Sequence, residues 1–119
     1  MALYMVEKLV FGVIVLSLRG KIVLGEESGA FREHLKRLIE EWRTRIVLDL
    51  AEVNYLDSVG LSSLVASYTS ARKQGGDLKL LQLTKKIHNL LQITRLSTVF
   101  EVYNTLDEAV RSFGPQENP

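Results

Sequence analysis

The residues best placed to do chemistry lie where the chain passes from a predicted strand into a predicted helix, at Asp57-Ser58-Val59-Gly60. The free N–H groups and the dipole of a helix start favour negative charge. Two interpretations of Ser58 are open. Its hydroxyl can cap the helix amides, which contributes ~1 kcal/mol of helix stability. Alternatively it projects at the surface and accepts a phosphoryl group, whose charge of roughly −1.5 to −2 the helix start would tolerate without unfolding of the domain.

The neighbours of Ser58 have alternative roles of their own. Either Asp57 or Ser58 is the N-cap of the helix, since both residue types accept hydrogen bonds from helix amides. Gly60 is either the small residue that lets the helix start pack closely, or an opening through which a partner approaches the backbone. The two roles of Gly60 are compatible.

Other residues with chemical potential give weaker signals. His34 and His88 lie on predicted polar helix faces without a paired histidine or carboxylate at metal-ligand spacing, so we predict solvated histidines and no metal site. Lys85-Lys86-x-His88 is a basic first turn of a helix that could contact an acidic partner or phosphate, but such turns are usually only surface, and we favour that interpretation. Gly25-x-x-x-Gly29 lacks the Lys-Ser/Thr pair and the spacing of a nucleotide-binding loop. We therefore predict no cofactor, and any ATP would be held by a partner.

A serine hydrolase is the enzyme that Ser58 would suggest. It requires a histidine base oriented by an acid, and the Gly-x-Ser-x-Gly motif is absent because Gly60 follows Ser58. Only a fold that brings His34 or His88 beside Ser58 would support it. We predict no catalytic residues and no enzymatic activity.

The elements that must position this junction begin with a hairpin. Residues 3–6 and 13–18 are apolar and β-branched, and Gly20 is predicted to close the second strand. A helix after Gly25 carries apolar residues at three- and four-residue spacing. These are Phe31, Leu35, Leu38, Ile39 and Trp42. The apolar run 46–50, bounded by charge, predicts a central strand covered on both faces.

Strands and helices then alternate to the end of the chain. The helix after Ser58 ends at Gly75-Gly76, and strands are predicted over 78–83 and 99–103. Thr84 caps one further helix and the capping box Thr105-x-x-Glu108 begins the last. Since such alternation requires crossover connections, the strands should be mostly parallel. The predicted fold is α/β, a mixed sheet of about five strands with about four helices, opening with a hairpin.

The composition excludes several classes of protein. At 119 residues with 46% hydrophobic and 24% charged residues, the chain is one globular domain over 1–113, with a polar tail over 114–119 that we expect to be disordered. The absence of cysteine excludes disulfides and thiolate chemistry. A net charge of +1 gives no long-range electrostatic field that would attract the chain to nucleic acid or an anionic membrane. The apolar run 9–18 is too short for a membrane helix and resembles no signal peptide, so we expect a cytoplasmic protein.

The motif Leu56-Asp57-Ser58-Val59-Gly60-Leu61 resembles the signature of the STAS domain in bacterial anti-sigma factor antagonists, also called anti-anti-sigma factors. The similarity extends from the hairpin with Gly20 through Leu90-Leu91-x-x-Thr94-x-Leu96 to Glu108-Ala109. It implies a STAS-like fold and phosphorylation of Ser58 by a partner that is both anti-sigma factor and ATP-dependent serine kinase. The unphosphorylated form would bind that partner and release a sigma factor, and a metal-dependent serine phosphatase would restore it.

The resemblance also implies a docking face around residues 56–62, with Asp57 shaping the loop that the kinase grips. Its partner-binding residues would be Asp57, Ser58, Val59, Gly60, Leu61 and Ser62. Such a protein takes part in partner switching and stress response as a monomer or weak homodimer, without touching DNA.

The sequence departs from the family pattern at two positions. Val59 follows the phosphoacceptor where many members have serine or alanine, and Lys21-Ile22-Val23 stands where many have an acidic residue. Glu26 or Glu27 nearby is a candidate substitute for that carboxylate. An alternative function is a scaffold subunit of a larger, stressosome-like signalling assembly, which would differ in forming a large oligomer.

Overall fold

The computed structural model describes residues 3–115, except for the side chains of residues 26–28. Glu26 and Glu27, the candidate substitutes for the missing carboxylate, therefore lie outside the described side chains. Residues 116–119 of the predicted tail also lie outside the description.

The chain opens with the predicted hairpin. Strand β1 (Leu3–Val10) pairs antiparallel with β2 (Val13–Ile22) across a two-residue turn. Phe11 and Gly12 in this turn have φ of 48° and 79°, and positive φ at both positions is typical of the turns that match strand twist in hairpins. The prediction that Gly20 closes β2 is wrong, because the strand continues to Ile22. Gly20 has φ 120°, and the pairing of β2 with β3 (Arg45–Leu56) changes register just after it.

Five strands form one sheet in the order β1-β2-β3-β4-β5, with β4 at Asp77–Leu83 and β5 at Val102–Tyr103. Strand β3 is central, as predicted, and every pairing after the hairpin is parallel. The last strand is shorter than the predicted 99–103, because a 3-10 turn at Leu96–Thr98 precedes it and Phe100 is buried in the core.

Four helices cover the sheet unequally. Helices α1 (Glu26–Glu40), α2 (Ser58–Lys73) and α3 (Lys85–Ile93) enclose the larger apolar core on one face. Helix α4 (Leu106–Arg111) packs on the other face, where Ala109 and Val110 meet alternate residues of the strands. No helix among residues 3–115 is long and apolar enough to cross a membrane.

Helix ends follow the predictions except at Trp42. Thr84 accepts from the Ile87 amide and Thr105 from the Glu108 amide, so both predicted caps are confirmed. Trp42 is not part of the buried face of α1. It adopts φ 61° and is 71% exposed. The helix ends in a Schellman motif, in which the Trp42 amide donates to the Ile39 carbonyl oxygen and the Arg43 amide donates to the Leu38 carbonyl oxygen. Trp42 takes the left-handed position of this motif, which glycine usually occupies.

Candidate functional site

The predicted junction lies where β3 ends and α2 begins, and Asp57 organises it. Asp57 is the N-cap of α2, and its Oδ1 accepts a hydrogen bond from the Gly60 amide at 2.9 Å. Its Oδ2 accepts from the Leu24 amide at 3.0 Å. One carboxylate therefore joins the helix start to the loop between β2 and α1. The prediction that Asp57 or Ser58 is the cap resolves to Asp57.

Hydrogen bonding keeps the Asp57 carboxylate ionised. The backbone amides of Gly60 and then Leu24 are the main causes that hold the pKa of Asp57 below its ordinary value of 3.8. The positive charge of Arg32 on α1 lowers this pKa further. Because both carboxylate oxygens accept hydrogen bonds from backbone amides, the charge of Asp57 stabilises the folded conformation of the junction.

Ser58 is the first residue of α2 and is exposed. Its hydroxyl forms no hydrogen bond with residues 3–25 or 29–115, so the capping interpretation does not describe it. The first turn of α2 contains no acidic side chain. A negative group on the Ser58 oxygen would sit at the positive end of the helix, beside the Asp57 carboxylate, whose two oxygens accept hydrogen bonds from backbone amides.

Gly60 is buried and sets the distance between α2 and β2. A Cβ atom at this position would lie 2.2 Å from the carbonyl oxygen of Ile22 and 2.8 Å from Cδ1 of Leu56. The space that a side chain would need is thus filled by the strand ends. The close-packing interpretation of Gly60 fits this geometry.

The other predicted docking residues differ in accessibility. Ser62 is exposed, whereas Val59 and Leu61 are half-buried and Leu61 packs against the larger core.

Two exposed apolar residues that the sequence did not predict at the site lie beside the junction. Leu24 is 71% exposed and is bonded to Asp57 through its amide, and Tyr55 is 44% exposed near the end of β3. Tyr55 is positioned by the pairing of β3 with β2, and Leu24 by its hydrogen bond to Asp57. Both contacts join segments that are distant in sequence, so no local pattern predicts them.

Neither histidine supports chemistry at Ser58. His34 is not a free surface residue, because its Nε2 lies 2.6 Å from Oε1 of Glu7 on β1. Its partner is 27 positions away in sequence, so spacing could not reveal it. His88 is exposed, as predicted, and neither ring hydrogen-bonds to Ser58 among the described residues. The described part of the chain contains no group of three potential metal ligands.

A cavity of about 870 Å³ lies at the opposite end of the sheet, lined by the loops that lead into β2, β3 and β4. Its basic residues hold the end of α4 in place. Nη2 of Arg45 donates to the Gly114 carbonyl oxygen at 2.6 Å, and Nζ of Lys79 donates to the Ser112 carbonyl oxygen at 3.2 Å. Arg45 and Lys79 therefore have structural partners at this end of the sheet. The exposed hydroxyl of Ser58 lies at the other end.

Comparison with known proteins identifies a family and several relatives that this chain resembles. Residues 5–109 match the model of the STAS domain family. The chain is 34% identical over 90 residues to an anti-sigma-B factor antagonist of Listeria monocytogenes, covering 72% of this chain and 79% of the relative.

Solved structures give the same fold. An anti-sigma factor antagonist from Mycobacterium paratuberculosis superposes with a TM-score of 0.82 at 26% identity, covering 94% of both chains. The Bacillus cell fate determinant SpoIIAA in its phosphorylated form superposes with a TM-score of 0.74 at 18% identity. That match covers 93% of this chain and 98% of SpoIIAA, and it concerns the fold alone.

Proposed function

The chain belongs to the STAS domain family of anti-sigma factor antagonists, and on this premise we propose that it binds an anti-sigma factor and thereby releases a sigma factor for transcription. The observation that carries the proposal is the exposed hydroxyl of Ser58, which forms no hydrogen bond among the described residues, on a junction where the Asp57 carboxylate joins the helix start to the loop before α1. The domain acts as a binding module, without contact with nucleic acid or membrane.

Phosphorylation of Ser58 is the proposed off-switch. The anti-sigma factor, acting as a serine kinase, would hold ATP while Oγ of Ser58 attacks the terminal phosphorus. The new Ser58 O–P bond replaces the bond to ADP, and the hydroxyl proton passes to a base of the kinase. A metal-dependent serine phosphatase hydrolyses the phosphoserine and restores the hydroxyl. The phosphorylated form of SpoIIAA, which shares the fold, is consistent with such a modification of a STAS domain.

The phosphate would turn binding off at the docking face. We place this face at Asp57–Ser62, with Leu24 added from the loop that Asp57 holds. A group with a charge of roughly −1.5 to −2 at its centre adds desolvation cost, steric bulk and like-charge repulsion against the partner. It would leave the fold intact, because the unmodified Ser58 hydroxyl forms no hydrogen bond with the part of the chain that the structure describes.

The experiment combines phosphosite mapping with a binding assay. Mass spectrometry of the protein isolated from its own cells should find one phosphoryl group, at Ser58, that is absent in Ser58→Ala. Biolayer interferometry against the anti-sigma factor copurified with the unphosphorylated chain should show tight binding of wild type and at least about tenfold weaker binding of Ser58→Asp, equivalent to 1.4 kcal/mol.

Ser70→Asp is the matched control, because Ser70 is an exposed serine near the other end of α2 and the substitution adds the same charge. It should bind as wild type does. Ser58→Asp binding as tightly as wild type, or Ser58 remaining unmodified across growth and stress conditions, would refute the proposed switch.

A further inference from the structure

A cluster of two lysines and a tyrosine borders the junction that carries Ser58. The ammonium groups of Lys21 and Lys86 lie 6.0 Å and 5.8 Å from the centre of the Tyr55 ring. Both distances are within the range of a cation–π contact. The ring itself is 44% exposed. We refer to Lys21, Tyr55 and Lys86 as the Tyr55 cluster.

Three different elements fix the position of the Tyr55 cluster. Lys21 and Tyr55 are register partners in the parallel pairing of β2 with β3. Lys86 is in the first turn of α3, and Oγ1 of Thr84, the cap of that helix, donates to the Val53 carbonyl oxygen of β3 at 2.9 Å. Tyr55 precedes Ser58 by three residues, so the backbone limits their separation to roughly 10 Å.

The positive charge of the cluster is not neutralised within the described structure. Neither lysine forms an ion pair with a residue whose side chain is described. Asp57 is the nearest carboxylate along the chain, and its two oxygens accept from the Gly60 and Leu24 amides. Glu52, the other acidic residue near the end of β3, is the register partner of Arg19 on β2, whereas Tyr55 is the register partner of Lys21. Among the described side chains, two lysines without an ion pair therefore border the junction that carries Ser58, although the chain as a whole carries only +1.

We propose that the Tyr55 cluster extends the docking face and selects an anti-sigma factor whose contact surface is acidic. This inference rests on the proposed function and names the chemistry of its partner. Two ammonium groups without an ion pair among the described side chains attract carboxylates, and the exposed ring offers apolar area between them.

An acidic partner surface also explains how one phosphate can end the interaction. A phosphoryl group on Ser58 would face carboxylates of the partner and would compete with them for the lysines of the cluster. Both effects oppose binding of the phosphorylated form, and both require that the cluster and Ser58 contact the same region of the partner.

The test measures association with the copurified anti-sigma factor as a function of salt. The double variant Lys21→Gln/Lys86→Gln removes both charges and retains side chains of similar length. Exposed charges at an interface act mainly on the association rate. We expect an association rate about tenfold lower than that of wild type at low ionic strength, a shallower salt dependence, and a dissociation rate changed by less than about threefold.

Lys36→Gln/Lys73→Gln is the matched control, because it removes the same net charge from exposed positions on α1 and α2 away from the junction. It should retain the association rate and salt dependence of wild type, and circular dichroism should show all variants folded. Equal association rates and salt slopes for wild type and Lys21→Gln/Lys86→Gln would overturn the inference while leaving the proposed function intact.

Two other outcomes would also overturn it. If wild type binds no anti-sigma factor, the proposed function fails and the inference fails with it. If wild type binds phosphatidylserine vesicles and Lys21→Gln/Lys86→Gln does not, the cluster belongs to a membrane-binding surface.

Discussion

Asp57 stabilises the junction in its ionised form. Hydrogen bonds from the Gly60 and Leu24 amides hold its pKa below the ordinary value of 3.8. A group with a lowered pKa in the folded state adds stability that is complete above its unfolded pKa and is lost as the pH falls through the folded pKa. We therefore expect Asp57→Ala to lower the free energy of unfolding at pH 7, and the difference from wild type to narrow as the pH falls below 3.8.

Urea denaturation of wild type and Asp57→Ala, at neutral pH and at a series of acidic values, measures this difference. Asp57→Asn is the control, because the amide keeps an acceptor oxygen but loses the charge. It should fall between wild type and Asp57→Ala at neutral pH. A difference that stays constant across the series would show that the charge of Asp57 does not contribute.

Ser58 should be dispensable for stability, since its hydroxyl has no bonding partner among the described residues. We expect Ser58→Ala to change the free energy of unfolding by less than about 0.5 kcal/mol, as is usual for surface substitutions. Thr84→Ala is the comparison, because Thr84 caps α3 and also donates to the Val53 carbonyl oxygen. Its loss should cost about 1 kcal/mol. Equal losses in the two variants, measured by chemical denaturation, would restore Ser58 to a capping role.

Helix α2 depends on a glycine for its approach to β2, whereas α1 carries a glycine that it does not need. A methyl group at Gly60 would meet the Ile22 carbonyl oxygen at 2.2 Å, and backbone cannot move aside easily. We expect Gly60→Ala to lower the free energy of unfolding by about 2–3 kcal/mol.

Gly29→Ala is the matched control, because a Cβ there would lie 3.7 Å from Nη2 of Arg32, an ordinary contact. That variant should raise the free energy of unfolding by about 0.5–1 kcal/mol, since alanine loses less backbone entropy in a helix. Thermal or urea denaturation of both variants provides the test. A loss for Gly60→Ala no larger than about 0.5 kcal/mol would contradict the close packing of α2 on β2.

Local patterns predicted most of the elements. The apolar spacing in α2 and α3, the threonine caps and the central apolar strand act within a few residues, so the sequence shows them directly. The motif at residues 57–60 was likewise visible, because a cap, a helix start and a close approach are all local requirements.

The remaining features depend on pairing between distant segments. Strand β2 passes Gly20 because the end of β3 continues the pairing, and Trp42 leaves α1 because the chain must turn into β3. Leu24 joins the site through a hydrogen bond to a residue 33 positions away. The Tyr55 cluster similarly needs β2, β3 and α3 in place. No sequence window contains both members of such contacts.

The proposed switch at Ser58 and the contacts that anchor α4 lie at opposite ends of the sheet. The ends of β2 and β3 carry the Asp57 junction, while at the opposite end Arg45 and Lys79 hold the carbonyl groups that follow α4. Since the two regions share no side chain, a charge placed on Ser58 changes one end of the domain and leaves the anchoring of α4 unaffected. Under the proposed function, this separation would allow the domain to remain folded with and without a phosphoryl group on Ser58.

The oligomeric state distinguishes a soluble antagonist from a scaffold subunit. Strand β1 forms one edge of the sheet and exposes Tyr4 and Val6, each more than half accessible. An exposed edge strand can pair with a second copy, but the charged residues Glu7 and Lys8 in β1 oppose close association. We therefore expect a monomer at micromolar concentration, with at most weak dimerisation through β1 at higher concentration.

Sedimentation velocity over a concentration series measures the oligomeric state and so tests this expectation. Val6→Lys is the variant, because it places a further charge on the exposed face of β1. Any concentration-dependent increase in mass should diminish in Val6→Lys, because two like charges would meet across a symmetric strand pair. Lys73→Glu, a change of charge on α2, should have no effect. A stable large oligomer of the wild-type chain alone would contradict the prediction, and it would favour a scaffold in which phosphorylation of Ser58 adjusts assembly.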